Sequence, residues 1–244
     1  MKTFQNHAHG TLLFVANAAS KWSAAETALR GCRFDVKKAA TAEDALMWLR
    51  RIDCEAVFLD LNLSGAGGIG ACRRIRQEFP NLWIVVFASQ DTVEDRVEAL
   101  NAGADHYMTK PFRTQELIAR IEAVVRRIRG SHTRTNAPIV VGDFYLNLEK
   151  KVVEKEGHEI HLTVTEFNLL YQLMANAGRP VPHSLLVDVV WGNHTATELG
   201  YLRIYISQLR KKIEAVPNQP RYLLTYANVG YLFAAADRSN ETIS

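Results

Sequence analysis

The chain reads as two domains in series: an open α/β unit built on a parallel sheet, then a smaller unit of antiparallel strands, three helices and a closing hairpin. Three observations predict this. Short continuous apolar runs (Leu12 to Val15, Ala56 to Leu59, Ile84 to Phe87) alternate with amphipathic stretches up to about Arg127. A polar, aperiodic stretch ending in proline follows, Gly130 to Pro138. Beyond it the pattern changes to alternating strands and capped helices.

Continuous apolar strands separated by helices imply parallel strands covered on both faces. Helix starts are marked by Thr41 to Asp44, Asp91 to Glu94 and Thr114 ahead of Glu116 to Val125, with a hydroxyl or carboxylate poised to cap the first turn. In the second unit, Ile139 to Leu148 and Val152–Val153 alternate as antiparallel strands around turns at Glu149 to Lys151 and Glu156–Gly157. Thr163 with Glu166, and Thr195 with Glu198, announce the first and third helices. Arg221 to Thr225 and Gly230 to Phe233 form the last hairpin. The expected boundaries are a lead-in over 1–10, the first domain over 11–128, a linker over 129–138, the second domain over 139–236 and a tail over 237–244.

The totals restrict the function classes. A chain of 244 residues suffices for two cores. No apolar run approaches the ~20 residues of a membrane span, and Met1 to Gly10 lacks the apolar centre of an export signal. Cys32, Cys54 and Cys72 have neither metal-ligand nor staple spacing, which fits a reducing, cytoplasmic setting. A net charge of +3 is too small to imply a nucleic-acid partner by itself, so any such contact must be local. No nucleophile–base pair, metal cluster or phosphate-cradling loop supports an enzyme. The run Gly65 to Gly68 reads as a loop after Asp60.

Open α/β sheets carry their sites beyond the carboxyl ends of the strands. Asn17, Asp60, Ala88 and Lys110 all fall at such ends and so form one pocket. The segment Ala56 to Gly65, with Thr109-Lys110-Pro111-Phe112 downstream, resembles the phosphoacceptor and lysine motifs of response-regulator receiver domains, which implies a flavodoxin-like, five-stranded parallel fold. Leu162 to Leu170, Trp191-Gly192, Leu202 to Ile213 and Asn228 to Tyr231 resemble the winged helix-turn-helix domain of OmpR/PhoB-type regulators. The run Tyr201 to Tyr205 looks most like the KdpE branch. Together the resemblances cover nearly the whole chain.

The resemblance makes Asp60 the phosphoacceptor, Lys110 its cationic neighbour and Tyr107 the aromatic switch. It also exposes departures. The acidic pair expected after the first strand is Ala16 and Asn17, and the hydroxyl expected at the end of the fourth is Ala88. Ser89, one residue further, should face the other side of the strand. Magnesium wants hard oxygen ligands in near-octahedral geometry. Here the anionic donors other than Asp60 are gone, leaving the Asn62 carbonyl and a weak Asn17 amide. Mg²⁺ binding is therefore not expected, no other cofactor is implied, and Lys110 is available to pair with Asp60 directly.

The family dimerises through the fourth helix, the fifth strand and the helix after it. Arg96 with Glu116 and Asp105 with Arg127 match its cross-subunit ion pairs; His106, facing Arg120, replaces an expected aspartate. On a helix from about Thr197 to Glu214, Leu199, Leu202, Ile206, Leu209 and Ile213 share the inner face. The outer face presents Gly200, Ile204, Ser207, Gln208 and Lys211, flanked by Arg203, Tyr205, Arg210 and Lys212. Arginine and glutamine suit base edges, and Ile204 a thymine methyl. Lys211, Lys212, Tyr201, Tyr205 and Ser207 suit phosphates or sugars. Family wings carry an arginine at the hairpin tip and another near the last strand; this chain has Ala227 and Leu232, so modest monomer affinity and a need for dimers are expected.

The reading is a cytoplasmic, DNA-binding transcription regulator, a homodimer on double-stranded DNA, not controlled by Mg²⁺-dependent phosphorylation and without a membrane partner. A sensor histidine kinase or RNA polymerase are further partners the resemblance implies. The alternatives are a conventional two-component regulator phosphorylated at Asp60 and a signalling adaptor that does not bind DNA.

Overall fold

The computed structural model describes residues 10–17, 23–31, 34–63, 67–90, 92–115, 117–119, 121, 137–191 and 196–235. The chain divides into two compact units between Val125 and Arg126. The expected linker and lead-in fall almost wholly outside the described residues, and the expected tail does so entirely. Among the described residues no helix is long and apolar enough to cross a membrane.

In the first unit, β1 (Thr11–Val15), β2 (Asp35–Ala39), β3 (Ala56–Asp60), β4 (Trp83–Ala88) and β5 (His106–Thr109) form one parallel sheet in the order β2-β1-β3-β4-β5. This is the doubly wound arrangement the apolar runs predict. Every residue of β3 and β4 is buried, because helices cover both faces of the central strands. Phe14 stacks on Phe58 at 4.7 Å between ring centres, and Phe87 continues the row at 6.0 Å. Each such ring contributes about 1.5–3 kcal/mol through burial. The strand β2 carries Lys37 and Lys38 and lies at the sheet edge, where charge discourages pairing with other chains.

The described helices are α1 (Ser23–Gly31), α2 (Ala42–Leu49), α3 (Gly67–Glu78) and α4 (Val93–Asn101). Thr41 caps α2 by accepting from the Asp44 backbone N–H, as expected. The cap of α4 is Thr92 accepting from the Asp95 N–H, one residue later than the expected start at Asp91. The glycine run read as a loop supplies the start of α3. Gly68 is required there: a Cβ would lie 2.4 Å from the Leu61 Cα.

Beneath the sheet, Arg76 of α3 gathers the carbonyls of Gly103, Pro80 and Leu82 and pairs with Asp105 at 2.5 Å. Asp105 is fully buried and also accepts from the Ile84 N–H, so it ties α3 to the starts of β4 and β5. The thiols of Cys54 and Cys72 are pushed up to about 12 by burial, in keeping with small apolar residues; Cys32 lies outside the described residues.

The second unit opens with the antiparallel sheet β6 (Ile139–Val141), β7 (Phe144–Asn147), β8 (Val152–Lys155) and β9 (His158–Glu159). Three helices follow: α5 (Val164–Ala175), α6 (His183–Trp191) and α7 (Ala196–Ile213). A three-stranded sheet β10-β12-β11 closes it, from Val181–Pro182, Gly230–Phe233 and Leu223–Tyr226. The capping box Thr163–Glu166 is present in both directions; the start expected at Thr195 lies outside the described residues. Phe144 meets Tyr222 and Phe233 edge-on at 4.9 and 5.2 Å, locking the first sheet to the last hairpin.

Replacing Asp105 by Ala leaves the Arg76 guanidinium buried without its counter-charge. The expected loss is about 3 kcal/mol, measured as a lower urea midpoint for the unfolding of the first unit.

Candidate functional site

The pocket at the carboxyl ends of β3, β4 and β5 is built around Asp60, which is only 1% exposed. The β4–β5 register carries Lys110 just past the strand, where its backbone N–H donates to the Ala88 carbonyl at 2.8 Å. From there the Lys110 Nζ reaches Asp60 Oδ2 at 2.5 Å, the direct pairing expected from the sequence. The other carboxylate oxygen accepts from the Asn62 N–H at 3.0 Å.

Asn62 links the rest of the pocket. Its carbonyl accepts from the Asn17 amide at 3.2 Å, and its own amide donates to the Ser89 Oγ at 2.6 Å. Ser89 therefore corrects an expectation: it follows the last residue of β4, so strand alternation no longer governs it, and it joins the pocket rim. Ala16 and Ala88 contribute methyl groups. Tyr107 is buried, and its hydroxyl donates to the Gln90 carbonyl at 2.6 Å.

These donors do not fit a resident Mg²⁺. An ammonium and an N–H lie on the Asp60 carboxylate, and an N–H₂ group lies on the carbonyl that would be a ligand. No carboxylate stands at position 16 or 17. A divalent cation here would have to displace a unit positive charge from a buried site.

The expected dimer face is partly corrected. Arg96 lies half-buried on α4. Asp105, just ahead of β5, is held inward by Arg76 and the Ile84 N–H, and His106 at the start of β5 is 5% exposed. Neither is a surface charge, and the proposed opposition of His106 and Arg120 loses its exposed histidine. Glu116, Arg120 and Arg127 lie outside the described residues.

On α7 the inner face is Tyr201, Leu202, Tyr205, Ile206, Leu209 and Ile213, all buried. Tyr201 and Tyr205 were expected on phosphates; instead they pack on Trp191 at 6.2 and 5.7 Å between ring centres. Leu199, expected inside, is 40% exposed near the helix start. Gly200, Arg203, Ser207 and Lys211 are exposed, with Ile204 and Gln208 half-buried between them. That spacing of three and four residues makes one continuous stripe.

Two expected contact residues serve the fold instead. Arg210 Nε and Nη2 donate to the Leu223 carbonyl at 3.0 and 2.8 Å, and Nη2 also reaches Thr225 Oγ1 at 2.8 Å. Lys212 Nζ lies 2.6 Å from Glu166 Oε2, inside the capping box of α5. The sequence reading missed Glu214, a buried carboxylate that accepts from the N–H groups of Arg221, Tyr222 and Leu223 at 2.7–2.9 Å. It also missed Lys155, whose Nζ donates to the Ile213 carbonyl at the C-terminal end of α7. The available signal for Glu214 was a lone carboxylate ending a basic helix, a position disfavoured by the helix dipole unless it has another role.

Comparison with known proteins identifies the families of both units. Residues 14–122 match the response regulator receiver domain, and residues 157–233 match the C-terminal domain of transcriptional regulatory proteins. The transcriptional regulatory protein KdpE of Mycobacterium tuberculosis is 40% identical over 202 residues, covering 83% of this chain and 89% of that protein. The KDP operon regulator KdpE of Escherichia coli is 35% identical over 210 residues, covering 85% and 91%. The cell cycle response regulator CtrA of Brucella anthropi is 33% identical over 212 residues, covering 87% and 90%. A solved RitR mutant shares the fold, with a TM-score of 0.76 at 23% identity over 92% of this chain and 98% of that one.

The stripe on α7 separates contacts from supports. Lys211→Ala is expected to weaken binding to duplex DNA of any sequence and to lower the salt slope by about one. Tyr205→Phe, inside the fold, should leave that slope unchanged. Titrations over a range of KCl concentrations measure both.

Proposed function

We propose, from the premise that this chain belongs to the OmpR/PhoB-type response regulators and is a DNA-binding transcriptional regulator, that its receiver works without Mg²⁺-dependent phosphorylation. The observation that carries this reading is that Ala16 and Asn17 put no carboxylate beside Asp60, whose Oδ2 pairs with the Lys110 ammonium at 2.5 Å. Asn17 on the Asn62 carbonyl supports it. In a phosphorylated receiver the cation beside the aspartate neutralises charge as the phosphoryl group arrives. Here a side chain of the protein already holds the carboxylate, and Ala88 offers no hydroxyl to the group that would be added.

The receiver then serves as a dimerisation module for the second domain, within the cytoplasm. With Asp105 and His106 directed inward, Arg96 and Glu116 are the remaining polar pair for that interface. Exposed ion pairs contribute only ~0–1 kcal/mol each, so apolar surface such as Val93, 63% exposed on α4, supports the same face. The partner is double-stranded DNA, read in the major groove by the stripe from Gly200 to Lys211. The known relatives are transcriptional regulators rather than enzymes.

The test is incubation of the full chain with acetyl phosphate and Mg²⁺. No stable label on Asp60 is expected; near-stoichiometric labelling would overturn the proposal in favour of a conventional phosphorylated regulator. Restoring the pair with Ala16→Asp and Asn17→Asp is expected to raise Mg²⁺ affinity by on the order of tenfold or more, since each carboxylate adds close-range Coulomb attraction, and to restore labelling.

A further inference from the structure

The C-terminal end of α7 is closed by a side chain from another element. The last four carbonyls of a helix have no partner within it, and each that is buried needs a donor from elsewhere. Ile213, the last residue of α7, is 1% exposed, and Glu214 after it is also buried. The donor is Lys155, the last residue of β8, whose Nζ lies 2.9 Å from the Ile213 carbonyl oxygen. An ammonium is also the charge that the negative end of a helix favours.

The lysine is itself held from several sides. It pairs across the sheet with Phe144, and its ammonium lies 5.4 Å from the centre of that ring and 4.4 Å from the centre of the Tyr222 ring. Both distances allow attraction between a cation and an aromatic ring. The same rings join the first sheet to the last hairpin, Phe144 meeting Tyr222 edge-on at 4.9 Å. Beyond Lys155 the chain turns sharply at Glu156 and Gly157, φ 52° and 78°, and the Glu156 N–H donates to the Asp143 carbonyl at 2.9 Å. A long side chain is thereby fixed at both ends, by the strand at its base and by two rings and a carbonyl at its tip. Nearer the start of α7, Tyr201 and Tyr205 rest on Trp191.

We propose that Lys155 is a positioning residue for base readout: by holding the C-terminal end of α7 to β8, it sets the angle at which the outer stripe meets the bases, without touching the duplex. This rests on the reading of α7 as the helix in the major groove. From Tyr201 on Trp191 to Gln208 and Lys211, the helix rises by about 10 to 15 Å. A tilt of about 5° about that aromatic contact shifts Gln208 by roughly 1 Å. A hydrogen bond to a base edge has only about 0.5 Å of usable range, so such a shift breaks it. A cation facing a phosphate acts through charge and tolerates the same shift. Loss of the Lys155 ammonium therefore weakens sequence-specific binding and spares binding to random duplex.

The experiment uses the full chain, a duplex selected by that chain from a random-sequence pool, and an unselected duplex of the same length. Affinities are measured by fluorescence anisotropy across a series of KCl concentrations. Lys155→Met keeps the apolar stem and removes the ammonium. It is expected to weaken binding to the selected duplex about tenfold, the equivalent of one base contact, with the unselected affinity and both salt slopes unchanged. Lys155→Arg can still donate to the carbonyl and stack on the rings, and should recover most of the loss. Val153→Ala, buried in the same strand, lowers stability but keeps the ammonium. It should leave the ratio of selected to unselected affinity at the parent value. If Lys155→Met leaves that ratio unchanged, or Val153→Ala lowers it equally, the proposal is overturned. It is also overturned if Lys155→Met weakens binding to both duplexes and flattens both slopes by about one, since Lys155 is then a phosphate contact. Lys155→Gln, shorter by one atom and uncharged, carries the same test where Lys155→Met does not fold. Gln208→Ala separates the two readings. If it weakens selected binding while Lys155→Met does not, the proposal fails and the reading of α7 stands. If Gln208→Ala has no effect, the placement of α7 fails and takes the proposal with it.

Discussion

The contact between Lys110 and Asp60 is the constraint on which the receiver depends. A carboxylate at the end of a fully buried strand has lost nearly all its water, and an isolated charge in that setting costs several kcal/mol. Its position comes from the sheet: β3 places it beside β4, and the register of β4 with β5 delivers Lys110 to the same end. Once the ammonium sits there, the remaining polar groups have assignments that follow from it. The second carboxylate oxygen takes the Asn62 N–H, the Asn62 carbonyl takes Asn17, and the Asn62 amide takes Ser89. A cation or phosphoryl group entering the pocket would have to break this sequence of contacts.

The second domain is organised by buried carboxylates too, and they alter how its charges should be counted. Glu166 accepts from the Thr163 N–H and from Lys212, joining the start of α5 to the end of α7. Glu214 accepts from three successive N–H groups leading into β11, the last being that of Leu223, and so sets where the hairpin begins. Lys155 closes the C-terminal end of α7 and lies 4.4 Å from the centre of the Tyr222 ring. Of the cations on α7, Arg210 and Lys212 therefore hold the fold, while Arg203 and Lys211 remain on the outer stripe. Of the four basic residues this helix carries, two are committed to contacts within the fold.

Much of this was legible in the residues. The continuous apolar runs mark β1, β3 and β4 because strands buried on both faces leave no polar alternation, and the boxes at Thr41 and Thr163 mark helix starts because their side chains replace missing backbone partners. The edge strand β2 was missed because Lys37 and Lys38 interrupt its apolar character. The start of α3 was missed because glycines there permit a close approach to Leu61 rather than a loop. The pocket was legible to the level of the Lys110–Asp60 pair. The errors on α7 and β5 share one cause. A tyrosine, histidine or aspartate counts as polar in a pattern, yet its burial is decided by a distant partner: Trp191 for Tyr201 and Tyr205, Arg76 for Asp105. Sequence spacing carries no record of such partners.

These features bear together on how such a protein discriminates among DNA sites. Non-specific affinity arises almost entirely from cations facing phosphates, and it rises with their number whatever the base sequence. On the proposed reading of α7, two outward cations on a chain of net charge +3 would give weak binding to random duplex. Specific affinity has a different origin, and in the proposed reading it comes from the Gln208, Arg203 and Ile204 edge of the stripe and from a second copy of it joined through the receiver. Joining two modest readers multiplies affinity only where two half-sites have the right separation. Low charge would thus lower competition from the rest of the DNA, and the proposed dimer would restore strength at paired sites. Under that proposal, a receiver whose Asp60 is already paired with its own lysine would suit a dimer maintained continuously.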